Sequence, residues 1–532
     1  MSESTIAVAN GMGWHYAIKG GKAVICNNMP KTTSGAINIP SVLDNKTVTE
    51  IGEGAFWGCA GLESVTIPDS ITSIGESAFK DCAALTSVSI PKSVISIGEN
   101  AFRNCNNLRR VVIQNPLVSV ASNAFKGCTH IKSATIPGSI QVSEIFPSSS
   151  WCIKNVIIAA SSVKIVNKAF SGCKHLMSMT IPASVERIEN GAFDECCELF
   201  DHAAIPGVHI VDGWAVGHDA SICGSLDLTG CRGIAGGALE GCCGLNAVTI
   251  PNSVKNIGDE AFAGCSGLTS VIIPDSVTSI GDGAFSGCSG LSSVAIPDSV
   301  NEVGKEAFEG CDKITSVTIP GHIRVPCAFS SSAKSIRSIA ITTASASIVD
   351  NAFSGCSALT SVNIPNSVTI LGSGAFNGCN KKLFDDTTIP GIRMVDGWAV
   401  GYDAHICDSL DLTGCRGIAN GAFERCCELT SVTIPDSVKI IGDMAFFKCS
   451  GLASVTIPDS VTIPDSVEII RKSTFEKCNN LTSVTIPNSV KCIMDHAFKG
   501  CSKLQSITIP ASASIGRHVF SECHAYVYRS NP

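Results

Sequence analysis

The chain has 532 residues, far more than one hydrophobic core needs, so either several domains or one repeat array is expected. Hydrophobic residues make up 45% and charged residues 16%, and the net charge is -8; nothing forms the basic stripe that phosphate contacts require, which argues against nucleic acid as a partner. There is no run of 18 apolar residues to form a transmembrane segment, and residues 1–13 lack the basic start and apolar core of a secretory signal.

The first fifty residues stand apart from the rest of the chain. Two apolar runs between Trp14 and Cys26 flank Lys19-Gly20-Gly21-Lys22, the pattern of a β-hairpin. Residues 1–50 are therefore expected to cap the first coil of an array.

From residue 51 to 523 one unit recurs, mostly at 23-residue spacing. Phe (Leu in one copy), two residues, then Cys appears seventeen times, from Cys59 to Cys523. The unit beginning at Leu268 shows the whole pattern: Leu268, Val271, Ile273, Pro274, Val277, Ile280, Ala284, Phe285 and Cys288. Self-similarity at this period means a stacked solenoid. Leu-x-x-Val-x-Ile alternates apolar and polar residues, the period of a strand with one buried face. Pro274-Asp275-Ser276 suits a turn, and Gly283 to Cys288 reads as one helical turn on the outer side with Phe285 inward. With two degenerate and two interrupted units, about 21 coils are expected.

A longer period overlies the first. Phe125, Phe170 and Phe193 recur 183 residues later as Phe308, Phe353 and Phe376, so a block at about 125–270 is duplicated at 308–455. Both copies hold a defective coil, around Phe146 and Phe329. Both then depart from the repeat near 207–223 and 391–407, each with Val-Asp-Gly-Trp-Ala-Val-Gly, whose Asp-Gly pair reads as a hairpin turn. Residues 524–532 form a short tail.

The pattern Leu-x-x-Val-x-Ile-Pro…Ile-Gly-x-x-Ala-Phe-x-x-Cys, running from about Ile37 to Cys523, resembles the BspA-like leucine-rich-repeat family. That resemblance implies an α/β solenoid: a leucine-rich-repeat arc with a parallel β-sheet on the concave face and short helical turns on the convex face. It also implies a binding role, since members are typically surface proteins associated with adhesion to host proteins or other cells. A cell-surface or extracellular location follows from the resemblance alone.

The seventeen repeat cysteines occupy one column of a stack, where parallel side chains do not aim their sulfurs at one another, so buried free thiols are expected. Cys223/Cys231 and Cys407/Cys415 are the pairs to test for bridging. Asp275 with Asp298, and Asp436 with Asp459, stack at turn positions, but no dense oxygen loop marks a calcium site. Cys223, Cys231, Cys242 and Cys243 match no paired zinc spacing, so no metal and no cofactor is expected. Eleven histidines lie without triad or ligand spacing, and no phosphate-cradling loop or nucleophile elbow occurs, so no enzyme is expected.

Binding residues are sought in two places. The outward strand positions form columns of hydroxyls, among them Ser270, Thr249, Thr318, Thr433 and Thr456. The two hairpins carry Trp214, His218, Trp398 and Tyr402, which would stand off the regular surface as recognition anchors; the opposing reading has each Trp folding back over the interrupted coil. The expectation is a non-enzymatic, monomeric solenoid binding a protein or glycan, an adhesin by resemblance. The alternatives are an intracellular interaction scaffold and a structural spacer or surface-layer component.

Overall fold

The computed structural model describes residues 5–26, 29–150, 152–220, 222–385, 387–403, 408–457 and 467–530. It divides into two compact units, Met1–Cys265 with Ser279–Phe285, and Ser266–Thr278 with Ser286–Pro532. Each is built of stacked coils, about 21 in all, that pair through parallel sheets.

In the first unit, seven short strands form one parallel sheet from Ser34–Asn38 through Gly61–Thr66, Ser87–Ile90, Arg110–Ile113, Ser133–Ile136 and Asn155–Ile158 to Ser178–Thr180. Its register repeats with the sequence: Ser64 faces Ser87, Ser87 faces Arg110 and Arg110 faces Ser133. A second, two-residue ladder runs through Ser73–Ile74, Ser96–Ile97 and Ser119–Val120. Between the ladders lies the core. In one coil Leu85, Val88, Ile90, Val94, Ile97, Ala101, Phe102 and Cys105 are each at most 2% exposed. Every large side chain buried this way contributes about 1.5–3 kcal/mol, and only the neighbouring coils can bury it.

The Phe column is a stack. Phe56, Phe79, Phe102 and Phe125 lie with ring centroids 5.0, 5.0 and 4.9 Å apart and nearly parallel planes. That interval follows the strand spacing of roughly 4.8 Å, which places equivalent side chains directly above one another. In the second unit the column resumes with Phe423, Phe446 and Phe475 at 5.2 and 5.4 Å.

The outer side differs from the expected helical turns. Each regular coil there holds two left-handed residues four apart, such as Ser77 (φ 53°) and Asp81 (φ 61°), or Asn100 (φ 56°) and Asn104 (φ 59°). A right-handed helix cannot pass through such residues, so the segment breaks into single i→i+3 turns, as in Cys82 N–H to Phe79 O (3.3 Å). The freed N–H groups point along the stack: those of Ser77, Phe79 and Asp81 donate to the carbonyls of Glu99, Ala101 and Arg103 in the next coil, at 2.9, 2.7 and 2.8 Å. True α-helix occurs in the described residues only at Val142–Ile145 and Val325–Phe329, the two coils with defective sequence. Neither range contains a left-handed residue.

At the amino end, Thr5–Ala9, Met12–Lys19 and Lys22–Ile25 form an antiparallel meander. Gly20 and Gly21, at φ 57° and 78°, make the tight turn between the last two. Lys22–Ile25 then pairs in parallel with Lys46–Ile51. Trp14, 1% exposed, sets its indole edge-on against Phe56 at 6.3 Å, covering that end of the ring stack.

No described cysteine is in a disulfide, Cys223, Cys231 and Cys415 included; Cys407 lies outside the described residues. The column thiols do more than fill space. Cys82, Cys105 and Cys128 each donate their S–H to the Phe carbonyl one coil back, Phe56, Phe79 and Phe102, at 3.2, 3.2 and 3.1 Å. Cys449 and Cys501 repeat the bond to Phe423 and Phe475 in the second unit. Valine or alanine would fit the volume but could not donate, which gives cysteine its place.

Candidate functional site

Where the sequence departs from its period, the parallel sheet stops. In the first unit it ends at Ser178–Thr180, and another begins at Cys223–Asp227, pairing with Gly244–Thr249. The antiparallel hairpin Val208–Val211/Trp214–His218 lies at this break, and Trp214–His218 pairs in parallel with Gly233–Ile234.

A polar clasp fixes the hairpin tip. The Asp212 carboxylate accepts from the backbone N–H of Ile181 at 2.6 Å and from Arg232 Nη2 at 2.9 Å. Arg232 also donates to the Asp212 carbonyl from Nε (2.7 Å) and to the Ile181 carbonyl from Nη2 (2.6 Å). Both polar groups of Ile181, next to the strand end, are thus satisfied without another strand. The second unit has the same device: Asp396 accepts from Ile364 N–H (2.7 Å), and Arg416 donates to the Asp396 and Ile364 carbonyls (2.6 and 2.7 Å) and to the Asp396 carboxylate (2.9 Å).

This geometry places the indoles inward. Trp214 and Trp398 are only 4% and 2% exposed, as in the reading that folds each Trp back, and they do not stand off the surface as recognition anchors. The reason lies about twenty residues downstream: each ring lies against a glycine, Gly233 or Gly417, where any Cβ would come within 2.4 or 2.7 Å of the ring. Neither indole N–H finds an acceptor among the described residues. His218 and Tyr402 are half-buried; His218 Nδ1 meets the Ala238 carbonyl at 3.2 Å and the Tyr402 hydroxyl donates to the Glu424 carbonyl at 3.2 Å. Contact with Cys242 raises the His218 pKa, and burial raises that of Tyr402.

In the second unit a depression of about 600 Å³ adjoins the clasp, lined by Trp398, Arg416, Asn366, Lys439, Glu468 and Arg471. The matching surface of the first unit is crossed by a hydrogen bond, Asn256 Nδ2 to the Glu186 carbonyl at 2.9 Å.

The hydroxyl positions behave differently from the indoles. Thr249, Ser270, Thr318, Thr433 and Thr456 are all exposed on strands. Thr433, Thr456, Thr485 and Thr508 pair in unbroken register, beside Ser431, Ser454 and Ser483. The clasp residues Asp212, Arg232, Asp396 and Arg416 are what sequence reasoning missed. Their signal was available: Arg-Gly follows Asp-Gly-Trp at the same distance in both copies.

The regular coil and its ladders agree with a sequence comparison. A profile described as BspA type Leucine rich repeat region (6 copies) matches residues 32–145, 143–210, 232–325, 324–390 and 416–525. The chain belongs to this BspA-type leucine-rich-repeat family. No curated protein sequence matches it significantly. Among solved structures, a leucine rich cell surface protein from Faecalibacterium prausnitzii is 22% identical, with 100% of this chain and 96% of that chain covered and a TM-score of 0.25. A leucine-rich repeat protein from Bacteroides ovatus is 19% identical, covering 100% and 90%, with a TM-score of 0.18. The T. pallidum leucine rich repeat protein is 23% identical over 35% of this chain and 88% of that one, at 0.24. The profile matches of this BspA-type chain leave out residues 211–231 and 391–415, which contain Trp214–His218 and Trp398–Tyr402. No helix among the described residues is long and apolar enough to cross a membrane.

Proposed function

We propose that the chain is a non-enzymatic binding solenoid that docks a protein partner across the hydroxyl-lined face of its parallel sheets, as a cell-surface or secreted adhesin. The observation that carries this reading is the in-register ladder Thr433–Thr456–Thr485–Thr508 with its serine neighbours. Each step offers a donor and an acceptor at strand spacing, without a charge to desolvate. The backbone beneath is bonded to a strand on either side, so the face is ordered before it binds and little freedom is lost on contact.

A protein fits this face better than a glycan does. The hydroxyl column ends at Tyr526 and Tyr528, which are exposed and pair with Ser506 and Thr508, and tyrosine is enriched at protein interfaces. The adhesin assignment rests on family membership, a weaker warrant than the chemistry of the face.

The test is capture by the immobilised full chain from a panel of extracellular-matrix and serum proteins, alongside the variant Thr318→Arg/Thr433→Arg/Thr456→Arg. Capture of at least one member, weakened tenfold or more in the variant with an unchanged far-UV spectrum, supports the reading. No capture, or equal capture by both forms, overturns it.

A further inference from the structure

The first hairpin carries a group of side chains that the docking face does not use. His202, His209 and Asp219 bring one ligand atom each to within 4.8 Å of one another. His209 Nε2 and Asp219 Oδ1 are already 2.8 Å apart, and this contact lowers the Asp219 pKa.

The surroundings hold the group in place. Phe200 stacks on the His209 ring at 4.2 Å with an 8° interplanar angle, and lies edge-on to His202 at 6.1 Å. Across the hairpin His209 pairs with Gly217, where a Cβ would come within 3.0 Å of His209 Nδ1, so a larger residue there would press on the ring. The backbone of the His202 turn is tied by Asp201, whose carboxylate accepts from the N–H groups of Ala203 and Ala204 at 3.0 and 3.2 Å. Asp219 N–H donates to the Gly207 carbonyl at 2.8 Å. His202 itself is exposed, so its ring can turn while its backbone stays fixed.

The duplicated hairpin provides an internal comparison. There the residue matching His209 is Arg393, opposite Gly401, and the residue matching Asp219 is Asp403. Arg393 lies over Phe384 at 5.7 Å, just as His209 lies over Phe200, and its Nε is 3.7 Å from Asp403 Oδ1. His202 is matched in sequence by Asp386, outside the described residues. The second hairpin therefore supplies its own fixed cation between an aromatic ring and a carboxylate. The first has two imidazoles there, which are ligands when neutral.

We propose that His202, His209 and Asp219 bind a divalent transition-metal ion, with zinc the best match to two imidazoles and one carboxylate. Zinc bonds of roughly 2.0–2.2 Å set neighbouring donors about 3.3 Å apart. The His209–Asp219 pair need only open by about half an ångström, and the exposed His202 ring closes the third edge. Water completes the fourth position, because the site faces solvent. Imidazole with carboxylate suits zinc, nickel or copper and disfavours calcium, which prefers an all-oxygen shell.

The test uses the full chain with its exposed thiols first blocked by iodoacetamide, titrated with Co²⁺ as a spectroscopic probe and then with Zn²⁺ as competitor. One equivalent of Co²⁺ should give visible bands without a thiolate charge-transfer band, and Zn²⁺ should displace it. His202→Gln, His209→Gln and Asp219→Asn should each weaken binding by tenfold or more. His175→Gln, outside the cluster, should leave it unchanged. Each variant's far-UV spectrum checks that it is folded. Absence of stoichiometric Co²⁺ binding to the unsubstituted chain overturns the proposal. So does binding that survives both histidine substitutions in folded protein, or a thiolate signature.

Discussion

Gly233→Ala tests whether the inward indole is what locks the first hairpin. Gly233 does not lie in the left-handed region, so alanine meets no backbone penalty and the effect is steric. The new methyl would lie 2.4 Å from Cε3 and Cζ3 of Trp214, whereas ordinary contact begins at 3.4 Å, so the ring must retreat by 3.4 − 2.4 = 1.0 Å or more. Overpacking of this kind costs about 1–3 kcal/mol. Replacing glycine recovers about 0.4–1 kcal/mol by restricting the unfolded chain. The overpacking cost wins, leaving a net loss of about 0.5–2 kcal/mol. Amide exchange across residues 208–218 should then quicken by about 2- to 30-fold. In a Trp214→Ala background the same substitution has no ring to strike and keeps only the gain of about 0.4–1 kcal/mol, so the double-mutant cycle should give a coupling energy equal to the overpacking cost, about 1–3 kcal/mol. An equal cost in both backgrounds, or slower exchange in Gly233→Ala, would refute the packing argument.

Phe79→Ala removes the second of four stacked rings and should destabilise its surroundings by about 3–5 kcal/mol. Exchange mass spectrometry should find the loss confined to the coils flanking residues 56–105; a uniform loss through the unit would contradict nearest-neighbour stability. Burial pushes the thiols of Cys82, Cys173, Cys356 and Cys478 up to about 12, so at pH 8 only about one in 10⁴ is thiolate, against roughly a quarter for an ordinary cysteine. In native labelling they should trail the exposed Cys152, Cys243 and Cys427 by at least about a thousandfold, and comparable rates would show that the column opens readily. Arg416→Ala strands the Ile364 carbonyl and should cost about 1–3 kcal/mol, read as faster exchange at residues 392–402. Arg416→Lys should recover less than half of this, because an ammonium lacks the planar fork that reaches four oxygens, those of Asp396 (carbonyl and carboxylate), Ile364 and Asn366.

The register of the coils was legible because it is strictly periodic. Once Ser64, Ser87, Arg110 and Ser133 are equivalent, each must face the next across parallel strands, and the Phe and Cys columns follow. The outer turns were not legible from the same pattern. Gly283 to Cys288 resembles a helical turn in composition, yet Gly283 and Gly287 are both left-handed, at φ 59° and 72°. Elsewhere Ser, Asp, Asn, Glu and even Met fill those positions, so residue type does not announce the conformation. It is imposed by the N–H bonds each coil makes to its neighbour. Which of the two orientations Trp214 takes was not legible for a related reason. Its direction depends on Gly233 and Arg232, about twenty residues away, and the run Val-Asp-Gly-Trp-Ala-Val-Gly read by itself contains no such information.

The clasp bears on how such an array can lengthen. A parallel sheet that simply stopped at Ile181 or Ile364 would present raw backbone to any passing chain, an invitation to mispairing. Because one carboxylate and one guanidinium satisfy Ile181 or Ile364 from within the same cassette, a copied block arrives with its own clasp at that strand end. Duplication at the gene level then adds coils together with the clasp that ends them, and the spare hairpin is free to diverge, as His209 and Arg393 have done.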